Sequence, residues 1–307
     1  MKTAKLIMTI KQMQDRKAWL NLRKEGLGGT DAAVIMGMSK FKTLHRLWAE
    51  KTGRFQPEEL SNDEAVHFGA VLEEVVAEEF TIRTGKKVKK HGLLRSMEHP
   101  WMLASVDRIL IGEDAGLECK TASFLMRKEW EDGHGKFGGI PEGYYCQCQW
   151  YMAVTGFPRW YIACLIGGQH YVWRIVERDE AFISEMVKKA SVFWNNVMND
   201  TLPSVDCTED CGRNLSAFYS AVQDKEVRLP EAMEHSFVAL GEIEERLEEL
   251  GERKVYHENR IKSCLKDAEY GRTDSGYYAS WKKSKRCYKG TDIAIRSFRY
   301  GKGVAGT

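Results

Sequence analysis

Asp107 and the triplet Glu118-Cys119-Lys120 are the residues of this chain whose types and spacing can do chemistry. Segments 102–111 and 117–121 read as strands, and Gly112-Glu113-Asp114-Ala115-Gly116 between them is a hairpin-length loop with glycine at both ends. Residues two apart on a strand point the same way, so Glu118 and Lys120 share a face and the hairpin brings Asp107 beside them. Two carboxylates and an ammonium converging at a sheet edge are costly unless a divalent cation sits between them. Hard oxygen ligands with open water positions suit Mg2+ or Mn2+. The matching chemistry is phosphodiester hydrolysis: the metal binds the phosphate and acidifies a water, and the lysine orients that water or neutralises developing charge. A D…ExK triplet also arises by chance, so a surface salt-bridge cluster across a hairpin stays open here.

Around this constellation, residues 14–25 read as a short helix, and Gly28-Gly29-Thr30-Asp31 as a turn feeding another, with Thr30 or Asp31 as its N-cap. A helix over 43–51 stops at Gly53, and Pro57 lies in a loop. Asn62 or Asp63 opens a long helix that ends before Gly85, with Val66, Ala70, Ala77 and Phe80 on its apolar stripe. Glu73 falls on the same stripe, where a carboxylate needs a cation, a metal or a donor, or else reaches out at the stripe's edge. A helix over 124–131 is followed by glycine-rich 133–139. Pro141 suits the first turn of the next helix, which stops at Gly156. Strands 160–166 and 169–176 are joined by Gly167-Gly168, and Asp179 caps a helix to about residue 199.

Arg23 and Thr30 make a second constellation. Glycines permit close backbone approach, a helix N-terminus favours anions, and an arginine adds bidentate contact; an ordinary capped turn is the plain alternative. Six of the eight histidines, at 45, 67, 91, 99, 134 and 170, show no ligand spacing and read as structural or surface residues, with His134 in the glycine-rich loop a candidate for contact with DNA.

Pro203 and polar 206–210 mark a boundary, giving an α/β domain over 1–204 and an extension over 205–307. Within it, 231–268 is charged and helical, with Leu240, Ile243, Leu247, Leu250 and Val255 in a pattern that favours a helical hairpin or coiled-coil-like element. The basic stretch from Trp281 to Lys289, with Arg296 and Arg299, reads either as a phosphate-backbone contact or as a solvated tail.

The bulk numbers agree with a soluble globular chain: 307 residues, 43% hydrophobic, 29% charged and a formal net charge of +2. No apolar run reaches membrane-spanning length. Met1 to Met8 is too poor in apolar residues for a secretory signal, so the expected compartment is the cytoplasm. The eight cysteines are then expected as free thiols. Cys146, Cys148 and Cys164 read as core packing. Cys207 and Cys211 form the one loop pair, and the absence of a second well-spaced pair argues against a metal there.

Taken in order along the chain, several segments resemble the YqaJ-type viral recombinase nucleases of the PD-(D/E)XK superfamily, the group that contains lambda exonuclease. Gly28-Gly29-Thr30-Asp31-Ala32-Ala33 is similar to the family's GGSDA turn, Trp48-Ala49-Glu50-Lys51-Thr52-Gly53 to its EKTG helix, and Gly69-Ala70-Val71-Leu72-Glu73 to its G-x-x-x-E helix. Ala104-Ser105-Val106-Asp107 stands where the family has S-P-D-G, and Leu117-Glu118-Cys119-Lys120-Thr121 resembles its L-E-x-K strand. Tyr144-Tyr145-Cys146-Gln147-Cys148-Gln149 resembles its Y-x-x-Q-x-Q helix, and Trp160-Tyr161 its following strand. The departures are Val106 for proline and Arg108 for glycine; Arg108 either reshapes the turn or adds a phosphate contact.

The resemblance, which spans roughly residues 18–200, implies a restriction-endonuclease-like α/β core, a mixed central sheet flanked by helices, with a C-terminal helical extension and basic tail. It implies that Asp107, Glu118 and the Cys119 carbonyl bind Mg2+, with Mn2+ able to substitute, and that Lys120 positions the attacking water. Glu73 would support the metal or its waters, and Gln147 would hydrogen-bond near Lys120; a satisfied core glutamine is the alternative for Gln147. Arg23 and Thr30 would hold a terminal 5′ phosphate. The implied activity is digestion of double-stranded DNA from an end, 5′ to 3′, leaving single-stranded tails for phage-type recombination. The implied partners are DNA ends, a single-strand-annealing recombinase and further copies of the chain, in a phage or prophage protein of a bacterial host. A sequence- or structure-specific endonuclease and a non-catalytic DNA-binding module are the rival readings.

Overall fold

The computed structural model describes residues 3–55, 64–219, 225–288 and 291–302, without side chains at 284–288 and 291–295. Pro57, Asn62, Asp63 and Lys289 lie outside the described residues. Contacts divide the chain into two units, Met1–Ala221 and Val222–Thr307.

The first unit runs β1 (Ala4–Met8), α1 (Ile10–Met13), α2 (Arg16–Lys24), α3 (Gly29–Ile35), α4 (Leu44–Lys51), α5 (Glu64–Thr84), β2 (Val88–Lys90), β3 (Leu93–Ser96), β4 (Leu103–Ser105), β5 (Arg108–Leu110), β6 (Ala115–Ala122), a 3-10 segment (Phe124–Trp130), α6 (Glu142–Thr155), β7 (Arg159–Ile166), β8 (His170–Glu177), α7 (Glu180–Met198) and α8 (Glu209–Phe218). A five-stranded mixed sheet has the order β2-β5-β6-β7-β8, and a three-stranded sheet the order β1-β3-β4. This is the expected mixed α/β core flanked by helices. The single strand expected over 102–111 is broken: β4 belongs to one sheet and β5 to the other, so Val106 and Asp107 lie at the crossing between them.

β6 and β7 pair in parallel, Glu118 opposite Ile162 and Lys120 opposite Cys164. Parallel neighbours need a long crossover, and α6 supplies it. Its buried Trp150 donates to the Leu103 carbonyl at 2.8 Å and its Tyr151 hydroxyl to the Ser105 carbonyl at 2.9 Å, which fixes β4 against the helix. Gly156, at φ 73°, ends α6 in the left-handed region that glycine adopts without penalty. Gly116 lies under Trp160, and a Cβ there would come within 2.1 Å of the ring.

α5 covers the opposite side of the sheet, with Val76, Ala77 and Phe80 buried against Leu110, Leu117 and Tyr161. Its first half behaves differently from the expected stripe: Val66 and Ala70 are exposed, and burial begins only one turn beyond Glu73. The N-cap of α3 is Gly28, not Thr30 or Asp31; Asp31 sits at the third helical position and accepts the Gly28 N–H at 2.9 Å.

α8, which the expected boundary at residue 204 assigned to the extension, belongs to the first unit and packs on α4. Phe218 meets Trp48 edge-on at 5.8 Å, and the Arg54 guanidinium lies 4.9 Å from the Trp48 ring and 5.1 Å from that of Phe218.

In the second unit α9 (Glu234–Leu265) is one continuous helix of 32 residues, not a hairpin. It is followed by an antiparallel sheet of β9 (Tyr270–Arg272), β10 (Tyr277–Tyr288) and β11 (Thr291–Lys302). Of the expected basic tail, residues 281–288 lie in β10, and Arg296 and Arg299 in β11. Arg296 is taken up by this sheet. Its guanidinium stacks 3.7 Å from the Trp281 ring and donates to the carbonyls of Trp281, Lys266 and Ala268 at 3.0, 2.9 and 2.9 Å. Among the described residues no helix is long and apolar enough to cross a membrane.

The packing of α8 sets one expectation. A chain ending at Tyr219 should unfold at a clearly higher temperature than one ending at Asp206, by at least about 2 kcal/mol, the scale of burying one phenyl ring. Equal thermal melts would show that α8 adds nothing to the first unit.

Candidate active site

The break between β4 and β5 puts Asp107 where it can face β6. Its Oδ2 accepts the Cys119 N–H at 2.8 Å, so the carboxylate is tied to the backbone between Glu118 and Lys120. Cys119, on the opposite face of β6, is buried under α5. Glu118 is only 2% exposed. Its Oε1 accepts from Lys120 Nζ at 2.5 Å and from Gln147 Nε2 at 2.7 Å. Its Oε2 is buried with no hydrogen-bond partner.

Gln147 is held in turn. Its amide also donates to the Tyr151 hydroxyl at 2.7 Å, one helical turn along α6, and that hydroxyl donates to Ser105. A Cβ on Gly29 would lie 2.8 Å from Gln147 Cγ and 3.0 Å from the Tyr151 ring, so the Gly28-Gly29 turn abuts the glutamine directly. Gln147 is thus neither a filler of the core nor free: it aims at Glu118. Gln149, fully buried, binds Glu177 and Asp179 backbone groups and joins α6 to the β8–α7 turn.

Glu73 forms an ion pair with Arg108, whose second amino group reaches Glu74 Oε2 at 3.1 Å and whose first also donates to the Asp107 carbonyl at 2.8 Å. Arg108 is buried, which settles the reading left open above: it braces Glu73 and the Asp107 backbone and is not presented to a phosphate. Glu73 is near enough that its charge raises the pKa of both Asp107 and Glu118.

Burial and the neighbouring Glu118 carboxylate hold Asp107 well above the ordinary carboxylate range. Burial likewise raises Glu118, although Lys120 draws it back. For Lys120 burial opposes the charge, but Glu118 and Asp107 outweigh it and keep the ammonium above its usual pKa. The orphaned Glu118 oxygen, the repelling carboxylates and the adjacent Cys119 carbonyl make a donor set of hard oxygens, which fits Mg2+ or Mn2+. Lys120 Nζ also lies 4.8 Å from the Tyr144 ring centroid.

Thr30 is exposed on a cleft of about 700 Å³ that also carries Tyr144 and Gln147, with Lys40, Lys42, His134 and Lys136 on its walls. Arg23 stands outside this lining. It lies over Trp19 at 4.7 Å, beside Gly28, and its charge reaches Asp31 and Tyr151. Lys51 organises the turn by binding Asp31 at 2.8 Å, the Gly26 carbonyl at 2.7 Å and the Arg23 carbonyl at 3.2 Å. Burial works against the Asp31 charge, but Lys51 and Arg23 hold its pKa below normal. Tyr151, Arg108 and Lys51 were not legible as site residues. Tyr151 had one signal, its place four residues after Gln147; Arg108 had its departure from the family's glycine and Lys51 its place in the EKTG segment, but their contacts came only with the fold.

The buried carboxylates predict a pH signature. The folded pKa of Asp107 is raised, so its contribution to stability is full below the unfolded carboxylate range and is lost as pH rises through the folded value. In chelator, Asp107→Asn should therefore melt above the parent chain at about pH 8 and lose that advantage near the unfolded aspartate pKa, about 4. A variant destabilised at every pH would contradict the repulsion.

A profile of the YqaJ-like viral recombinase domain matches residues 18–158. The uncharacterized protein YqaJ of Bacillus subtilis (strain 168) is 41% identical over 272 residues, which covers 87% of this chain and 83% of that protein. Looser structural likenesses include an alkaline exonuclease from Laribacter hongkongensis, LHK-Exo, at 20% identity and a TM-score of 0.48, covering 60% of this chain and 93% of that one. A putative exonuclease from Eubacterium rectale stands at 13% and 0.46, covering 75% and 98%. On the strength of the Bacillus relative, matched along most of both sequences, the chain belongs to the YqaJ-like viral recombinase family.

Proposed function

We propose that this protein is a metal-dependent deoxyribonuclease that digests double-stranded DNA from an end, 5′ to 3′, leaving single-stranded tails for phage-type recombination. The observation that carries the reading is the buried, unpartnered Glu118 oxygen beside Asp107 and a fully charged Lys120. Membership of the YqaJ-like viral recombinase family supports it.

In this reading Asp107, Glu118 and the Cys119 carbonyl hold Mg2+ or Mn2+. The ion, when bound, polarises a phosphate oxygen and acidifies water. Lys120 orients the water and offsets charge growing on the phosphate. Gln147 and Tyr151 keep Glu118 in its rotamer, and Arg108 keeps Glu73 beside the pair without adding a third free negative charge. The cleft carries the DNA end past Tyr144, and its lysines meet the backbone. Further copies of the chain and a single-strand-annealing recombinase are the proposed partners, in the cytoplasm of a bacterial host. α9 offers Leu240, Ile243, Leu247 and Leu250 on one exposed stripe for another chain.

Lys120→Ala should abolish cleavage of linear duplex, with DNA affinity little changed, because the lysine acts where charge develops. Substantial cleavage by the folded variant would remove this role. Covalently closed plasmid should survive the parent enzyme; its cleavage would favour an endonuclease, and inertness towards every DNA in Mg2+ and Mn2+ a non-catalytic binding module.

Arg23 and Thr30 are proposed to read the 5′ phosphate. Duplex with a 5′ phosphate should be digested faster than duplex with a 5′ hydroxyl, by roughly ten- to hundredfold for one charge-assisted contact. Arg23→Ala should erase most of that difference. Equal rates on the two ends in the parent enzyme would dismiss the pocket and leave the nuclease reading standing.

A further inference from the structure

Cys211 lacked a partner pair in the sequence, but the fold brings it a histidine from another helix. One ring nitrogen of His45, a carboxylate oxygen of Asp206 and Cys211 Sγ lie within 4.8 Å of one another. His45 comes from α4, Asp206 from the segment before α8, and Cys211 from the first turn of α8. We propose that these three residues form a structural Zn2+ site that fastens α8 to α4, apart from the acidic site on β6.

The state of His45 is the strongest argument. The side chain is fully buried. Its Nε2 lies 3.1 Å from the Ser204 carbonyl, which only accepts, so Nε2 carries the hydrogen. Nδ1 then carries the lone pair, and it is buried with no hydrogen-bond partner. A neutral imidazole whose N–H is given to a backbone carbonyl and whose other nitrogen is free is the form that ligates a metal. Without an ion, the lone pair would be desolvated for nothing.

Of the other two ligands Asp206 is exposed and Cys211 buried, and hydrogen bonds hold both. Asp206 Oδ1 is turned by the Thr208 N–H and hydroxyl at 2.8 and 2.5 Å. Cys211 is buried, and its N–H is capped by Thr208 at 3.2 Å, so the thiol is set at a defined point of the helix. The surroundings are braced by Thr43 donating to Asp210 at 2.9 Å and Asn214 donating to the His45 carbonyl at 2.7 Å. Imidazole, thiolate and carboxylate together suit a borderline ion such as Zn2+ better than Mg2+. Zinc bonds of roughly 2.0–2.3 Å place tetrahedral ligands about 3.5 Å apart, so a small closure completes the set. The fourth position is left to water, so Cys211 is the one thiolate of the set.

The test uses the full chain, stripped with chelator and titrated with Co2+ as a spectroscopic stand-in for Zn2+. The expected result is a thiolate-to-Co2+ charge-transfer band that saturates at one ion per chain and is displaced by Zn2+. Zn2+ should also raise the melting temperature of the stripped protein. The band should be lost in Cys211→Ser and in His45→Gln, and kept in Cys119→Ser, which removes the thiol between Glu118 and Lys120 in β6. Absence of the band in the parent protein, or its survival in Cys211→Ser, would overturn the proposal whatever the stability of the variants.

Discussion

Two carboxylates that repel each other are held together below the surface of this protein, and much of the first unit is arranged around that cost. Asp107 and Glu118 both sit above their ordinary pKa because burial disfavours their charges, with the Glu118 charge adding to this at Asp107 and the Glu73 charge at both. Natural cores avoid such pairs unless something compensates. Here compensation comes from three sides: Lys120 and Gln147 on one Glu118 oxygen, the Cys119 N–H on Asp107, and Arg108 on Glu73. The other Glu118 oxygen is buried with no hydrogen-bond partner. A site of this kind spends stability on function, since each group that would relax it also would fill it.

The architecture delivers these groups from rigid elements. β6 presents Glu118 and Lys120 to one face and hides Cys119 on the other. The sheet change between β4 and β5 turns Asp107 towards them. α6 spans the parallel crossover, so the same helix that must exist for topological reasons also carries Gln147 and Tyr151 to the site. Its Trp150 and Tyr151 bind the carbonyls of β4 on the near side of the break, which couples the position of Gln147 to that of Asp107. Gly29 admits α3 to this junction because any side chain would strike Gln147.

Arg108 illustrates how a departure from a family pattern finds a physical role. A glycine there would leave Glu73 and Glu74 near two further carboxylates with no guanidinium between them. The buried arginine binds both and also the Asp107 carbonyl. Its cost of burial is met by the charges it faces, which hold its own pKa up. His45 and Cys211 repeat the theme at smaller scale: two buried groups that meet beside the exposed Asp206 carboxylate.

The sequence by itself determined the local matters. Alternation placed Glu118 and Lys120 on one face, the Asp179 cap opened α7, and Gly156 ended α6. These are short-range effects, decided by backbone sterics and neighbouring side chains. Motif order gave the family, and with it Gln147. What lay beyond was long-range. The sheet change at Val106–Asp107, the Arg108–Glu73 pair, the Tyr151 relay and the meeting of His45 with Cys211 join residues 4 to 166 positions apart. The β-hairpin of the second unit was hidden for a different reason: its density of lysines and arginines reads as a tail, and the pairing of β10 with β11 is made by the backbone. No periodicity encodes which distant charge will face which, because that is settled only when packing removes water from between them and makes each unpaired charge costly.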